Sequence, residues 1–320
     1  MKRQLLPLAL ACALVPAVAQ ADEPRIAYQK FELPNGLKVY VIEDPKAPTV
    51  YEVLWFEVGS KDEVANRTGF AHLFEHLMFK GSAHLPDGLM DRLLESAGGW
   101  SNAFTSSDMT VYQNVAASNF LEQILWMEAD RFAGLLDTFD KPKLDNQRDV
   151  VLNERRQRYE NVPYGMAWEY LAEALYPKDH PYAHTAIGSP KDLQAATLAD
   201  VRAFFQQFYV PANAVLTVVG DQEIAKTKAL INTYFGSIPG GSRAATPAGG
   251  APPKREPVHL ATSDDKAKLP RVTLAWHTPA LYTPGDAELD LLSTVLTDGK
   301  TSRLYEPLVY RSKLAKDVSA

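Results

Sequence analysis

The sequence predicts an α+β fold of repeated domains, each with helices packed on one face of a mostly antiparallel sheet. Three observations favour this class. The turn dipeptide Asn35-Gly36 separates two segments with strand character. Segments with helical spacing of apolar residues are interspersed with short runs rich in β-branched and aromatic residues. The same order of elements then begins again after a segment rich in Gly, Ser, Ala and Pro.

The strands and helices of the first domain follow from these patterns. Residues 28–42 are predicted to form a β-hairpin, and further strands are predicted at 50–58, 110–116 and 214–220. Predicted helices cover 66–80, 87–97, 143–160 and 166–175, a long segment capped by Ser118, a segment to about 208 opened by a capping box of Thr197 and Asp200, and a segment ending at Phe235.

The composition divides the mature chain into three parts. We expect an N-terminal domain at 22–238, a linker at 239–257 with almost no apolar bulk, and the beginning of a second, homologous domain without a metal motif at 258–320.

The second domain is predicted to repeat the first. A strand at 271–277 and helices at 287–296 and 302–314 match the first elements of the N-terminal domain. The first copy continues for more than a hundred residues beyond the matching point, whereas the second stops there. We therefore expect the chain to be a fragment of a longer protein.

The first 21 residues resemble a cleavable secretory signal. Lys2 and Arg3 precede an apolar core at 5–18 that is too short for a stable membrane anchor, and 17–21 offers small-x-small cleavage sites. An uncleaved anchor is the alternative. The predicted location is therefore the periplasm or the exterior.

Charge and cysteine content exclude several functions. A net charge of -6 argues against nucleic acid or an anionic membrane as the main partner. The only cysteine, Cys12, lies in the signal, so the mature protein would have no disulfide, thiolate ligand or cysteine nucleophile. Beyond the signal, no apolar run is long enough to span a bilayer, and we expect no membrane association after cleavage.

The residues that carry chemistry are His72, Glu75 and His76 on the predicted helix 66–80. They fall within an arc of about 100° of the helix. The two imidazoles, one turn apart with Cβ atoms roughly 5–6 Å from each other, can reach one tetrahedral ion. Glu75 lies beside them, placed to take a proton from a metal-bound water. The pattern His-x-x-Glu-His is the known inverted zincin motif.

The neighbours of this motif argue against two surface histidines. Apolar residues surround the polar trio, namely Phe70, Leu73, Phe74, Leu77, Met78 and Phe79. Burying two imidazoles and a carboxylate without partners would cost on the order of several kcal/mol. A zinc ion would remove that cost, and a hydrogen-bonded structural cluster is the alternative.

A catalytic zinc needs a third protein ligand and one open position. Glu154 shares one face of the predicted helix 143–160 with Gln147, Val150 and Val151. Its carboxylate should point towards the core and needs a partner there. Zinc and a buried ion pair with a nearby arginine both remain open. The arginines are otherwise expected on a solvated face; they are Arg155, Arg156 and Arg158.

The motif and its surroundings resemble the pitrilysin family of zinc metallopeptidases, which includes insulin-degrading enzyme, the mitochondrial processing peptidase and many bacterial exported peptidases. The resemblance runs from about residue 28 to the chain end and is carried by 67–81, 98–105 and 146–156. It implies that His72, His76 and Glu154 bind one zinc ion. It also implies that Glu75 is the general base.

The resemblance further implies a site for substrate. Asn102 and Ala103 would lie on an edge strand that pairs with a substrate peptide, and Phe104 would line a side-chain pocket. Gln147 stands where many relatives have a second glutamate; there it could still hydrogen-bond a zinc ligand but could not relay charge. Relatives also have an arginine-tyrosine pair late in the second domain, for which no residues can be assigned here. We therefore expect the metal site to form but full activity to need more chain.

These inferences predict a zinc-dependent endopeptidase that acts on peptides or unfolded segments through a metal-activated water. The resemblance implies a chamber built from two such halves, so the partner would be a second copy, a related subunit or a downstream half. The alternative is a non-catalytic or structural subunit of a paired assembly. Such subunits usually lose the histidines or the base, and this chain keeps them all.

Overall fold

The computed structural model describes residues 26–245, 247, 249 and 256–320. The predicted signal at 1–21, Cys12 and part of the predicted linker at 239–257 lie outside the described residues. The described residues form an α+β fold with a mostly antiparallel sheet, as predicted. No helix among them is long and apolar enough to cross a membrane.

Among the described residues, six strands form one sheet in the order β1-β2-β6-β3-β5-β4. The strands are β1 (Gln29–Glu32), β2 (Lys38–Glu43), β3 (Thr49–Phe56), β4 (Trp100–Thr105), β5 (Thr110–Ala117) and β6 (Ala214–Gly220). Only the β2–β6 pair is parallel; the other neighbours are antiparallel. β4 therefore ends the sheet at one edge.

The predicted turn connects the two strands of the hairpin, β1 and β2. Gly36 has a φ of +89°, which strains any residue with a Cβ, so glycine suits this position. The Asn35 amide donates hydrogen bonds of 2.8 and 3.0 Å to the carbonyls of Phe235 and Ile238. The turn therefore also anchors the end of a distant helix.

Helices cover one face of the sheet. In the described residues they are α1 (Phe70–Leu77), α2 (Leu89–Ser96), α3 (Leu121–Thr138), α4 (Lys141–Arg155), α5 (Ala167–Leu175), α6 (Pro190–Ala195), α7 (Leu198–Phe208), α8 (Ile224–Phe235) and α9 (Asp286–Thr297). Along β3, Leu54 and Phe56 are buried beneath them, while Tyr51 and Trp55 are exposed on the other face. The alternation places the core between the sheet and the helices.

Two helix starts test the predicted caps. Thr197 and Asp200 form the predicted capping box at the start of α7. The Ser118 cap is wrong: a 3₁₀ turn, Ser118–Phe120, precedes α3, and the Ser118 hydroxyl donates a 3.1 Å hydrogen bond to Asp221 instead. The Ser118 hydroxyl thus bonds a residue distant in the chain and not the backbone at the start of the helix.

The C-terminal segment departs from the predicted repeat. Residues 271–277 form no strand, and Val272 and Leu274 are 85% and 81% exposed. A strand needs a partner, and the described residues of this segment offer none. α9 confirms the helix predicted at 287–296, whereas 302–314 contains turns and one π-helical turn, Glu306–Arg311. The repeat of domains remains a prediction.

Candidate metal centre

α1 brings the two predicted imidazoles together. The Nε2 atoms of His72 and His76 lie 3.3 Å apart, and the rings meet edge to face with centroids 4.7 Å apart. Both side chains are half-buried, while Leu73 and Phe74 on the same helix are fully buried. The apolar side of α1 thus fixes the helix in the core, and its polar side leaves both imidazoles partly exposed.

A buried glutamate holds the start of α1. Glu63 accepts hydrogen bonds of 2.8 Å from the backbone N–H groups of Gly69 and Ala71, and its side chain is fully buried. Burial raises the pKa of Glu63 well above its usual value, and the helix N–H groups act in the opposite direction. Sequence reasoning missed Glu63, because a cap seven residues before a helix leaves no local pattern.

α4 delivers the third predicted ligand. Glu154 Oε2 lies 3.1 Å from His76 Nε2 and 3.7 Å from His72 Nε2. Its other oxygen, Oε1, accepts from Arg158 at 2.8 Å. An ion pair with an arginine is therefore present at Oε1, although Arg158 is exposed, while Oε2 faces the two imidazoles and zinc binding there stays a prediction. The three candidate ligand atoms lie within 4.8 Å of one another.

The predicted inward face of α4 is correct in part. Gln147 and Val151 are buried and Glu154 is nearly so, but Val150 is 39% exposed. Arg155 is only 4% exposed and does not lie on a solvated face as predicted. Its guanidinium finds acceptors on Glu160, Glu169 and Gly188, and residue type alone does not reveal these partners.

Glu75 lies between the two histidines on α1 and contacts the end of β4. Its Oε2 accepts a 2.5 Å hydrogen bond from the hydroxyl of Thr105, the last residue of β4. Burial raises the pKa of Glu75, and the Thr105 hydrogen bond opposes that rise. Thr105 was missed by the sequence analysis, because its role depends on a contact between a strand and a helix.

The charge states suit a divalent cation. Burial, reinforced by the adjacent His76, lowers the pKa of His72 to about 4, so this imidazole is neutral at pH 7. The hydrogen bond with His76 lowers the pKa of Glu154, which stays ionised. A neutral imidazole and a carboxylate are the forms in which these groups bind zinc. The residues present therefore fit the ion.

The edge strand β4 packs against α1, the helix that carries the histidines. β4 pairs with β5 on one side, and Asn102 and Phe104 on it are exposed. The N–H of Ala103 is bonded locally, to the Asn102 side chain at 2.9 Å. The predicted edge position of these three residues is thus observed, and a peptide could replace the local bond.

The predicted contact between Gln147 and the metal centre is not observed. Its amide donates a 2.7 Å hydrogen bond to Asn146, and within the described part of the chain it makes no hydrogen bond to His72, His76 or Glu154. Gln147 lies about two turns before Glu154 on α4, which directs it to a different level of the core.

Two family profiles of known proteins together match most of the chain. The profile described as "Insulinase (Peptidase family M16)" matches residues 38–187, which include every candidate site residue. The profile described as "Peptidase M16 inactive domain" matches residues 195–320.

Three individual proteins show the extent of the similarity. A Helicobacter pylori protein named zinc protease PqqE is 33% identical over 303 residues, covering 93% of this chain and 66% of that protein. A crystal structure of a protease from Helicobacter pylori superposes with a TM-score of 0.77 at 30% identity, covering 92% of this chain and 71% of the other. A crystal structure of the first half of the periplasmic protease PqqL from Escherichia coli superposes with a TM-score of 0.63 at 26% identity. It covers 70% of this chain and 48% of the other. The chain thus spans about two thirds of the length of its curated Helicobacter relative.

Proposed function

This chain belongs to the insulinase family of peptidases, family M16, and we propose that it is a zinc-dependent endopeptidase acting on peptides or unfolded segments. One observation carries the proposal: His72, His76 and Glu154 converge from two helices within 4.8 Å, with Glu75 between the two histidines on α1. The names of relatives, which include zinc proteases, agree with this chemistry.

His72, His76 and Glu154 would hold the zinc ion. Bound zinc would polarise the scissile carbonyl and lower the pKa of a water molecule. Three protein ligands leave a fourth position for that water, as catalytic sites require. Arg158 occupies the other oxygen of Glu154, so only Oε2 is directed at the two imidazoles.

Glu75 would serve as general base. Its carboxylate would accept a proton from the water and pass it to the leaving amine. The Thr105 hydroxyl fixes one carboxylate oxygen at 2.5 Å, which orients the Glu75 carboxylate. Because burial raises the pKa of Glu75, the ionised base is lost on acidification earlier than for an exposed glutamate.

Substrate would bind in extended form along β4. Asn102 and Ala103 offer backbone groups at a free sheet edge, and Phe104 would contact a substrate side chain. A groove of about 320 Å³ continues along this edge, with Trp100 and Phe79 in its lining. An extended segment can add a strand to such an edge, so we expect unfolded segments to be better substrates than compact folded proteins.

The setting of this activity is also a proposal. The basic and apolar pattern at 1–21 and the periplasmic origin of the PqqL relative support export to the periplasm or beyond. A second copy, a related subunit or a further segment would complete the chamber. The non-catalytic alternative is less well supported, because ligands and base are all present.

Replacing Glu75 by Gln tests the proposal. The purified protein should keep one zinc per chain, because Glu75 is not a ligand, while cleavage of a quenched fluorescent peptide should fall by about 10²–10⁴-fold. Glu173→Gln, at an exposed position of α5, is the matched control and should leave both unchanged. Undiminished cleavage by the Glu75 variant would refute the assignment.

A further inference from the structure

The residue after Glu154 is an arginine that the proposed mechanism does not use. Arg155 is buried, and its guanidinium carries donors in a rigid fork. We infer that Arg155 is a positioning residue that fixes the Glu154 carboxylate relative to α1 and so preorganises the zinc site. The inference rests on the proposed function, because it concerns the same metal centre.

Arg155 joins three segments of the chain. Its Nε donates to Glu160 at 3.0 Å, within the π-helical turn Arg156–Glu160 that ends α4. Its Nη2 donates to both carboxylate oxygens of Glu169 on α5, at 3.1 and 2.7 Å. Its Nη1 donates to the carbonyl of Gly188 at 2.9 Å. The end of α4 is therefore held from several directions.

The Gly188 bond leads directly to α1. A Cβ on Gly188 would lie 2.3 Å from the Cα of Gly69, the residue before α1, so the two backbones are in close contact. A Cβ on Gly69 would lie 2.9 Å from the Ile187 carbonyl. Neither position has room for a side chain between the two segments. Arg155 thus binds the backbone of Gly188, which lies directly against Gly69 at the start of the histidine helix.

Further hydrogen bonds lock this junction. Thr68 donates to Asp192 from its N–H at 3.1 Å and from its hydroxyl at 2.7 Å. The N–H of Ser189 donates to the Thr68 hydroxyl at 3.0 Å. The segment that accepts from Arg155 is therefore tied to the residues that open α1. A path of short contacts connects the backbone beside Glu154 to the helix of His72 and His76.

The two arginines beside Glu154 act differently. Arg158 touches the carboxylate itself but is 73% exposed, so water and salt can replace it. Arg155 makes no contact with the carboxylate; it sets the backbone from which Glu154 projects. A lysine at 155 would keep the charge but lose the fork that reaches three acceptors at once.

The experiment compares zinc affinity with fold stability. Arg155→Lys should weaken zinc binding about tenfold or more, in the range found when groups that orient metal ligands are changed. Arg148→Lys is the matched control: Arg148 also lies on α4 and donates to a backbone carbonyl, but to that of Ala196 and not to that of Gly188, which meets Gly69. The dissociation constant for zinc would be measured by chelator competition, and the melting temperature of the zinc-free protein by calorimetry.

The outcomes separate positioning from general stabilisation. We expect Arg148→Lys to lower the melting temperature with the zinc dissociation constant within about twofold of wild type. Equal zinc affinity in Arg155→Lys and wild type would overturn the inference. Should the lysine variant not fold, Glu169→Gln removes the charge of one partner while keeping Arg155, and it must weaken zinc binding for the inference to stand. Zinc binding that is unaffected by Glu154→Gln would instead refute the proposed function.

Discussion

α1 and α4 both place candidate ligand atoms at the metal centre, but different forces hold those atoms. α1 has eight residues, five of them buried, and its two imidazoles are one turn apart on a helix fixed by core packing. α4 has fifteen residues, four of them buried, and its carboxylate lies in the last turn, where a helix is least constrained by its own backbone bonds. Glu154 therefore depends on contacts outside its helix.

This difference indicates which ligand of a metal site built from two helices depends most on the rest of the fold. The spacing of His72 and His76 is a property of any α-helix, so it survives changes elsewhere in the fold. The distance from Glu154 to the imidazoles is set by packing between α1, α4 and the segment around Gly188. Ligands aside, substitutions around α4 should therefore change zinc affinity, whereas substitutions in the core around α1 should mainly change the stability of the fold.

The largest effect is expected when a ligand from either helix is removed. His76→Ala and Glu154→Ala should each weaken zinc binding by more than roughly 100-fold, the upper range for groups that only orient ligands. Chelator competition would measure the constants. Unchanged affinity in Glu154→Ala would show that α1 alone holds the ion and that α4 contributes none of the ligands.

The next largest effect concerns the zinc-free protein in acid. The pKa of His72 is lowered from 6.5 to about 4, mainly by burial. Between these pH values the unfolded chain binds a proton that the native chain does not, so stability falls as pH decreases, by up to about 3 kcal/mol from this residue. Glu75, with its raised pKa, acts in the opposite sense.

Urea unfolding from pH 7 to 4 in the presence of a chelator would measure this dependence. His72→Asn should flatten the decrease, because the titrating group is gone. Glu154 supplies the contrast from α4: its lowered pKa also destabilises the native state in acid, but only near and below the ordinary glutamate range. An equal slope in wild type and His72→Asn would contradict the assignment.

A smaller effect is expected at the contact between β4 and α1. Thr105→Val removes the hydroxyl that orients Glu75 and should lower kcat about tenfold, since a hydrogen bond to a charged group contributes roughly 1.5–3 kcal/mol. The acidic limb of the pH profile should move to higher pH, because that hydrogen bond lowers the pKa of Glu75. Thr105→Ser, which keeps a hydroxyl, should recover most of the rate. A valine variant with the wild-type profile would refute the role.

The smallest effect is expected for Arg158→Ala. An ion pair with a side chain that is 73% exposed contributes at most about 1 kcal/mol, so zinc affinity should change by less than about fivefold. The change should shrink further in high salt. A loss as large as that of Arg155→Lys would show that direct pairing, not backbone placement, controls Glu154.

Local patterns predicted the parts of the site that depend on one element. The spacing of His72, Glu75 and His76, the Asn35-Gly36 turn and the capping box at Thr197 all follow from helix or turn geometry, and the structure has each of them. The expectation at 271–277 failed for a complementary reason. Its alternation describes a strand, but pairing needs a second strand that the described segment lacks.

The sequence by itself determined which groups could bind a metal and that two of them share one helix turn, because helix periodicity fixes neighbours three and four residues apart. Only the tertiary structure decided that Glu154 meets them, that Thr105 orients Glu75, and that Arg155 lies buried against Gly188. These contacts join residues separated by about 30 to 80 positions in the chain. Such distances are closed by core packing and buried hydrogen bonds, whose partners no local pattern specifies.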